Sequence, residues 1–226
     1  MNKHFTIAID GPAGAGKSSV AKAVARELGA IYLDTGAMYR SVGLYMLRQG
    51  VDPKDAETVA ARAREAKVDI RYVDGKQHVY LLGEDVSEAI RENEVSAAAS
   101  GVSAVQLVRE ILVARQQEIA REQSVVMDGR DIGTKVLPDA TLKIYLTASA
   151  EVRARRRFLE LEKKGKPVPY EQLLSEINQR DWDDSHRAAS PLCRAEDAVE
   201  LDTSDMTEEE VVSAMLALAR ERVNKA

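Results

Sequence analysis

The stretch Ile9-Asp10-Gly11-Pro12-Ala13-Gly14-Ala15-Gly16-Lys17-Ser18-Ser19 decides how the rest of the chain is read. From Gly11 to Ser18 it satisfies the pattern G-x-x-x-x-G-K-[S/T] without a gap. Its surroundings fit the pattern too. Phe5 to Ile9 is a short apolar, β-branched run suited to a buried strand. From Ser18 to Leu28 apolar residues recur at helical spacing. A glycine-rich loop between strand and helix lets the backbone wrap closely around a polyphosphate. Its amide N–H groups point into the opening of a helix, where the dipole favours anions. Lys17 adds a point charge for the outer phosphates, and the Ser18 hydroxyl can ligate Mg²⁺. Gly11, Pro12, Ala13, Gly14, Ala15, Gly16, Lys17, Ser18 and Ser19 are therefore the candidate triphosphate-binding residues.

Outward from this loop, the pattern alternates strand and helix. Gly29 stops the first helix. A second strand, residues 30–33, ends at Asp34-Thr35-Gly36, and a helix carrying Arg40 runs to about Gly50. Pro53 is expected to open another helix to about Ala66. Residues 68–73 and 77–82 then alternate with strand period around the turn Asp74-Gly75, which predicts a hairpin outside the main sheet. Helical pattern resumes at Ser87, with Ser100-Gly101 read as an interruption, and a long helix spans about 104–122. Strands follow at 125–127, ending in Asp128-Gly129-Arg130-Asp131, at 142–146 and at 198–201. Ser149 caps an arginine-rich helix carrying Arg153, Arg155, Arg156 and Arg157. A loop at 163–169 precedes a charged helix from Tyr170 to about Arg187, and Thr207 with Glu210 forms a capping box for the last helix. This is an α/β class chain, a parallel sheet with helices on both faces. Such sheets gather ligand-binding residues at the carboxyl ends of their strands, where Lys17, Asp34 and Asp128 to Asp131 would converge.

The 226 residues allow a sizeable core, and 45% apolar with 31% charged side chains is ordinary for a globular protein. A net charge of −5 argues against general nucleic-acid or membrane binding. One cysteine, Cys193, permits no internal disulfide and is expected to serve packing. Trp182 is likewise expected to pack, and the three histidines are too scattered for a metal site. No apolar run has spanning length, and the first residues run directly into a strand, so a cytoplasmic location is expected.

Among P-loop classes, a GTPase would carry N-K-x-D, which is missing. A hydrolysing ATPase usually places a carboxylate after the strand-end Asp, where this chain has Gly129. The second half is instead rich in arginine. Transfer between two phosphates must offset their repulsion, and arginine forks fit phosphate oxygens. A phosphate acceptor needs no general base, which favours it over a hydroxyl acceptor. The open alternatives are a kinase acting on a hydroxyl and an ATP-binding regulatory module without turnover.

Four blocks carry a resemblance: residues 11–18, Asp34-Thr35-Gly36-Ala37-Met38-Tyr39-Arg40, Asp128-Gly129-Arg130-Asp131-Ile132-Gly133-Thr134, and Arg180-Asp181 with Asp184 and Arg187. Together they resemble the bacterial cytidylate kinases over nearly the whole chain. The resemblance implies ATP-dependent phosphorylation of CMP and dCMP to CDP and dCDP by a single kinase domain, residues 1–226, with Mg²⁺ accompanying ATP. It implies a monophosphate-binding lobe at 34–110, including the hairpin insert at 68–82, and a lid at 153–190. Thr35, Arg40 and Arg130 then grip the acceptor phosphate, while Ser100, Arg109 and Asp131 read cytosine; chemistry agrees for Asp131, because a carboxylate accepts from the exocyclic amine of cytosine but faces an acceptor oxygen in uracil. Arg180 and Asp184 contact sugar and phosphate, and Arg187 also reaches the acceptor. Arg156 and Arg157 meet donor phosphates or adenine, although the 153–157 run could also be a solvated face. Lys17, Arg130, Arg180 and Arg187 are the expected catalytic set. The partners are free nucleotides, with no nucleic-acid polymer and no membrane, and a monomer is expected. Trp182, Asp183, Ser185 and His186 depart from relatives that place further basic residues in the lid.

Overall fold

The computed structural model describes residues 4–223. The chain runs β1 (Thr6–Asp10), α1 (Lys17–Leu28), β2 (Ile31–Asp34), α2 (Thr35–Arg48), α3 (Ala56–Arg62), β3 (Val68–Val73), β4 (Lys76–Leu81), β5 (Glu84–Asp85), α4 (Asn93–Val102), α5 (Gln106–Glu122), β6 (Val125–Gly129), β7 (Leu142–Thr147), α6 (Ala150–Lys163), α7 (Tyr170–His186), β8 (Val199–Asp202) and α8 (Glu208–Val223). Five strands form a parallel sheet in the order β2-β6-β1-β7-β8.

Strand alternation divides the core between the two faces of this sheet. Ile7, Ile9, Val126 and Ile144 pack with Val20, Val24 and Met215 beneath α1 and α8. Ala8, Leu33, Val125 and Met127 pack on the other face with Met38, Val42 and Leu112 of α2 and α5. Residues one apart in a strand face opposite layers, so both faces are apolar, as a doubly covered sheet requires. The carboxyl ends of β1, β2 and β6 lie side by side, with Asp10 opposite Gly129 and Asp34 opposite Asp128.

Local signals act as expected at several ends. Gly29 ends α1 in the left-handed region at φ 64°. Ser149 accepts from the Val152 N–H, and the Thr207–Glu210 capping box closes in both directions. Asp74 and Gly75 both have positive φ, which a two-residue hairpin turn demands. The hairpin lies outside the main sheet and gains a third short strand, β5.

Three expectations are corrected. Pro53 does not open a helix: Asp55 does, accepting from the Thr58 N–H, and α3 tightens into a 3₁₀ turn at Ala63–Glu65. No α-helix starts at Ser87; a 3₁₀ turn at Ala89–Arg91 precedes α4. Ser100-Gly101 does not interrupt α4, which continues through both. A Cβ at Gly101 would stand 2.6 Å from the Pro53 carbonyl oxygen, so this glycine serves close packing, not a break.

Candidate active site

The polar ends of the parallel strands open into a cleft of about 740 Å³. One wall is the P-loop. Gly11 has φ 147°, and a Cβ there would fall 1.9 Å from the Leu146 carbonyl oxygen, so the loop can leave β1 only through glycine. Gly14 and Gly16 are also left-handed, at φ 76° and 86°. Lys17, only 5% exposed, donates to the Pro12 carbonyl at 2.7 Å. Burial, then the Arg130 charge, holds its pKa well below the usual lysine value, against the pull of Asp128 and Asp10.

Asp128, at the end of β6, accepts from the Ser18 hydroxyl at 2.8 Å and the Tyr32 hydroxyl at 2.8 Å. Its pKa is raised, first by burial and then by the neighbouring Asp34 charge. The Ser18 hydroxyl and the Asp128 carboxylate beside it are hard oxygen donors of the kind Mg²⁺ takes, so these two residues fit that ion. Thr35 donates to the Asp128 carbonyl at 2.7 Å. Asp34 caps α2 through the Ala37 N–H and pairs with Arg40 at 2.8 Å.

The opposite wall is built from arginine–carboxylate pairs. Arg109, buried beneath the Tyr39 ring, pairs with Asp131 and donates to the Ser103 carbonyl at 3.1 Å. Arg130 pairs with Asp184 at 2.7 Å. Arg187 donates to the Ser190 carbonyl at 2.7 Å and lies 3.9 Å from Asp184. Burial pushes the Asp184 carboxyl up, but Arg130, Arg180 and Arg187 together outweigh it and hold the pKa low. Arg180 reaches the cleft from α7. Though water reaches it, its enclosing cleft walls and then the Arg130 and Arg40 charges lower its pKa. Two buried guanidinium nitrogens, Nε of Arg109 and Nη2 of Arg187, have no hydrogen-bond partner among the described residues.

Most of the residues named from sequence converge here. Ala13, Gly14, Gly16, Lys17, Ser18, Ser19, Thr35, Arg40 and Ser100 line the cleft, as do Arg109, Arg130, Asp131, Arg156, Arg157, Arg180, Asp184 and Arg187. Gly11, Pro12 and Ala15 do not; they shape the loop from behind. Ala15 instead lines a second hollow of about 320 Å³. Arg156 borders both spaces and donates to the Thr203 carbonyl at 2.6 Å. Arg157 pairs with Glu160 at 2.9 Å.

Sequence reasoning missed three groups. Arg153 is not on a solvated face: it is 4% exposed, forks onto Asp181 of α7 and donates to Ala13 of the P-loop at 3.0 Å. Its place in the first turn after β7, at the carboxyl edge of the sheet, was the available signal. Tyr32, a residue of the second strand, shares a face with Asp34 by strand alternation and reaches Asp128. Asp10 accepts from the Ile132 and Gly133 N–H groups, each at 2.7 Å, and so fastens the π-helical turn Ile132–Val136 to β1. Two packing expectations are also corrected. Trp182 is 58% exposed and stacks on the ring of His186, with centroids 4.4 Å apart, and Cys193 is exposed.

A parallel sheet that opens through a P-loop, faced by a wall of arginines across one cleft, defines a P-loop kinase. The sequence profile described as cytidylate kinase matches residues 7–221. The chain is 53% identical over 216 residues to the cytidylate kinase of Caldicellulosiruptor bescii, covering 96% of each. It is 50% identical over 226 residues to that of Bacillus licheniformis, covering all of both. A solved structure of an uncharacterized protein from Eubacterium ventriosum, 13% identical, aligns over 99% of this chain and 100% of its own with a TM-score of 0.52, a likeness of fold alone. The chain belongs to the cytidylate kinase family.

Proposed function

We propose that the protein moves the γ-phosphoryl group of ATP to the phosphate of CMP or dCMP, forming CDP or dCDP and ADP. The observation that carries this is the meeting of the Lys17 loop and the arginines Arg40, Arg130, Arg180 and Arg187 in one cleft. In the reaction an acceptor phosphate oxygen bonds to the γ-phosphorus as the bond to the β-phosphate oxygen breaks. No proton need be removed first, because a nucleotide monophosphate is largely ionised at neutral pH.

The donor triphosphate lies in the P-loop amides with Lys17 at its outer end, and Ser18 with Asp128 would hold the accompanying Mg²⁺, which supplies charge neutralisation there. Ser19 extends the same wall. Arg156 holds the mouth of the second hollow, which fits the donor base, and Arg157 lies beside the phosphate path. Across the cleft Thr35, Arg40 and Arg130 take the acceptor phosphate, Arg180 and Arg187 follow the transferring charge, and Asp184 keeps them aligned. Ser100, Arg109 and Asp131 read cytosine. Such a reaction is catalysed chiefly by positioning and by fixed cations. Residues 34–110 act as the monophosphate lobe, and residues 153–190 as a lid whose closure excludes water and so limits hydrolysis. This reading describes a monomer in the cytoplasm acting on free nucleotides, with no membrane and no nucleic-acid polymer. The net charge of −5 supports it. Among the described residues, no single helix is long and apolar enough to cross a membrane.

The test is ADP release with ATP and Mg²⁺ against CMP, dCMP, UMP, AMP and a panel of hydroxyl acceptors. CMP and dCMP are expected to lead. Release independent of acceptor, or absent throughout, rejects the proposal.

A further inference from the structure

We infer that the hairpin insert positions the acceptor side of the cleft through two side chains, Tyr72 and Gln77, that clamp the free edge of β2. The argument starts from the sheet order, which leaves β2 at an edge. The Ile31 N–H donates inward to the Ser124 carbonyl at 3.1 Å. Residues of a parallel strand turn their backbone groups to alternate sides, so Tyr32 and Asp34 present theirs outward. Unpaired edge groups are usually left to water or to another strand.

Here the insert takes them. The Tyr72 hydroxyl donates to the Tyr32 carbonyl at 2.9 Å, and the Gln77 side-chain oxygen accepts from the Asp34 N–H at 2.8 Å. Tyr72 and Gln77 face each other directly across the β3–β4 pair. One cross-strand pair therefore grips both outward-facing residues of β2. The insert is docked by side chains and does not continue the sheet.

The two gripped residues are those of β2 whose side chains reach the cleft chemistry. Tyr32 donates to Asp128, which accepts from Ser18. Asp34 caps α2 and holds Arg40. Releasing the clamp frees the end of β2, and with it the Asp34–Arg40 pair at the mouth of α2. The P-loop keeps its own anchors in β1 and α1 and meets β2 through the Tyr32–Asp128–Ser18 hydrogen bonds, so loss of the Gln77 contact at the Asp34 end falls mainly on the acceptor side. Tyr72 and Gln77 are thus positioning residues acting through Asp34 and Arg40. The inference rests on the proposed role of Arg40 as a contact to the acceptor phosphate.

The test is steady-state kinetics on the full chain, varying CMP and ATP separately, with thermal melting measured alongside. Gln77→Met removes the acceptor oxygen and is expected to raise KM for CMP about tenfold while KM for ATP stays within about twofold. Gln77→Glu keeps an acceptor oxygen and should remain within about threefold of the parent for both. Tyr72→Phe should raise KM for CMP about threefold and carries the test if Gln77→Met fails to fold. A lower melting temperature with unaltered KM values, equal rises in both KM values, or Gln77→Glu as impaired as Gln77→Met overturns the inference. Failure of the underlying reading shows separately, as a parent protein that makes no CDP.

Discussion

The two walls of the cleft hold their groups in different ways. The P-loop wall is mostly main chain: three glycines at positive φ and one lysine leaning on a carbonyl of its own loop. The facing wall is mostly side chain: Arg40 on Asp34, Arg109 on Asp131, Arg130 on Asp184, drawn from α2, α5, α7 and the turn after β6. A backbone cradle concentrates its chemistry in eight consecutive residues. A wall of paired side chains distributes it over most of the chain, and each pair can be loosened separately. Substitutions in the first wall should therefore act on turnover as a whole, and those in the second on one substrate or one property.

The largest effect expected is from Lys17→Ala. Its ammonium is the P-loop's single side-chain cation, so kcat should fall about a thousandfold. The fold should persist, because a buried charge held below its usual pKa contributes little net stability. Circular dichroism and initial rates measure both. Activity within about tenfold of the parent would remove the main-chain wall from the chemistry.

Asp10 tests where the walls join, since it closes β1 before the P-loop and holds the turn that follows Asp131. Its carboxyl is pushed up to about 6, chiefly by burial, against the two N–H groups it accepts. Because this value exceeds that of the unfolded chain, the native state binds more protons between about pH 4 and 6. The stability due to Asp10 is thus fully present at the acid end and declines as pH rises through its native pKa. Asp10→Asn cannot titrate. Relative to this variant, the parent should lose up to about 3 kcal/mol of unfolding free energy between pH 4 and pH 7, read by urea denaturation. A constant difference would show that Asp10 ionises alike in both states.

The same contrast explains what the sequence made legible. Glycine spacing, strand period and caps are local, so the P-loop, the hairpin turn, the Ser149 cap and the order of elements could be read directly. Pairing across the cleft is not local. Nothing near Arg109 in sequence points to Asp131, and nothing near Arg153 points to Asp181; resemblance to a family sets Arg109 and Asp131 at one base but pairs neither arginine with its carboxylate. Gly101 failed for a related reason. A helical glycine and a helix break look alike until the chain that crosses it, at Pro53, is known. Gly101→Ala is accordingly expected to destabilise. Helix propensity would gain about 1 kcal/mol. The added methyl, however, meets a backbone oxygen that cannot swing away, and such overpacking costs about 1–3 kcal/mol. The clash should win, with the melting temperature falling by about 2–6 °C. A rise in melting temperature would mean that Pro53 yields easily.

The smallest and most selective effect belongs to Asp131→Asn. Arg109 occupies one Asp131 oxygen, and no donor reaches the other among the described residues, so an oxygen acceptor is offered to the cleft. On the proposed reading the exocyclic amine of cytosine would donate to it, whereas the uracil oxygen at the same place would repel it. An amide can turn its NH₂ toward that uracil oxygen and keep its own oxygen on Arg109. The ratio of kcat/KM for CMP over UMP should therefore narrow about tenfold, mostly through better use of UMP, with KM for ATP unchanged. If the ratio holds while both activities fall together, Asp131 serves only to seat Arg109. Base choice would then rest with the unpartnered Arg109 nitrogen and the Ser100 face of α4, making the facing wall one interlocked unit instead of a set of separable pairs.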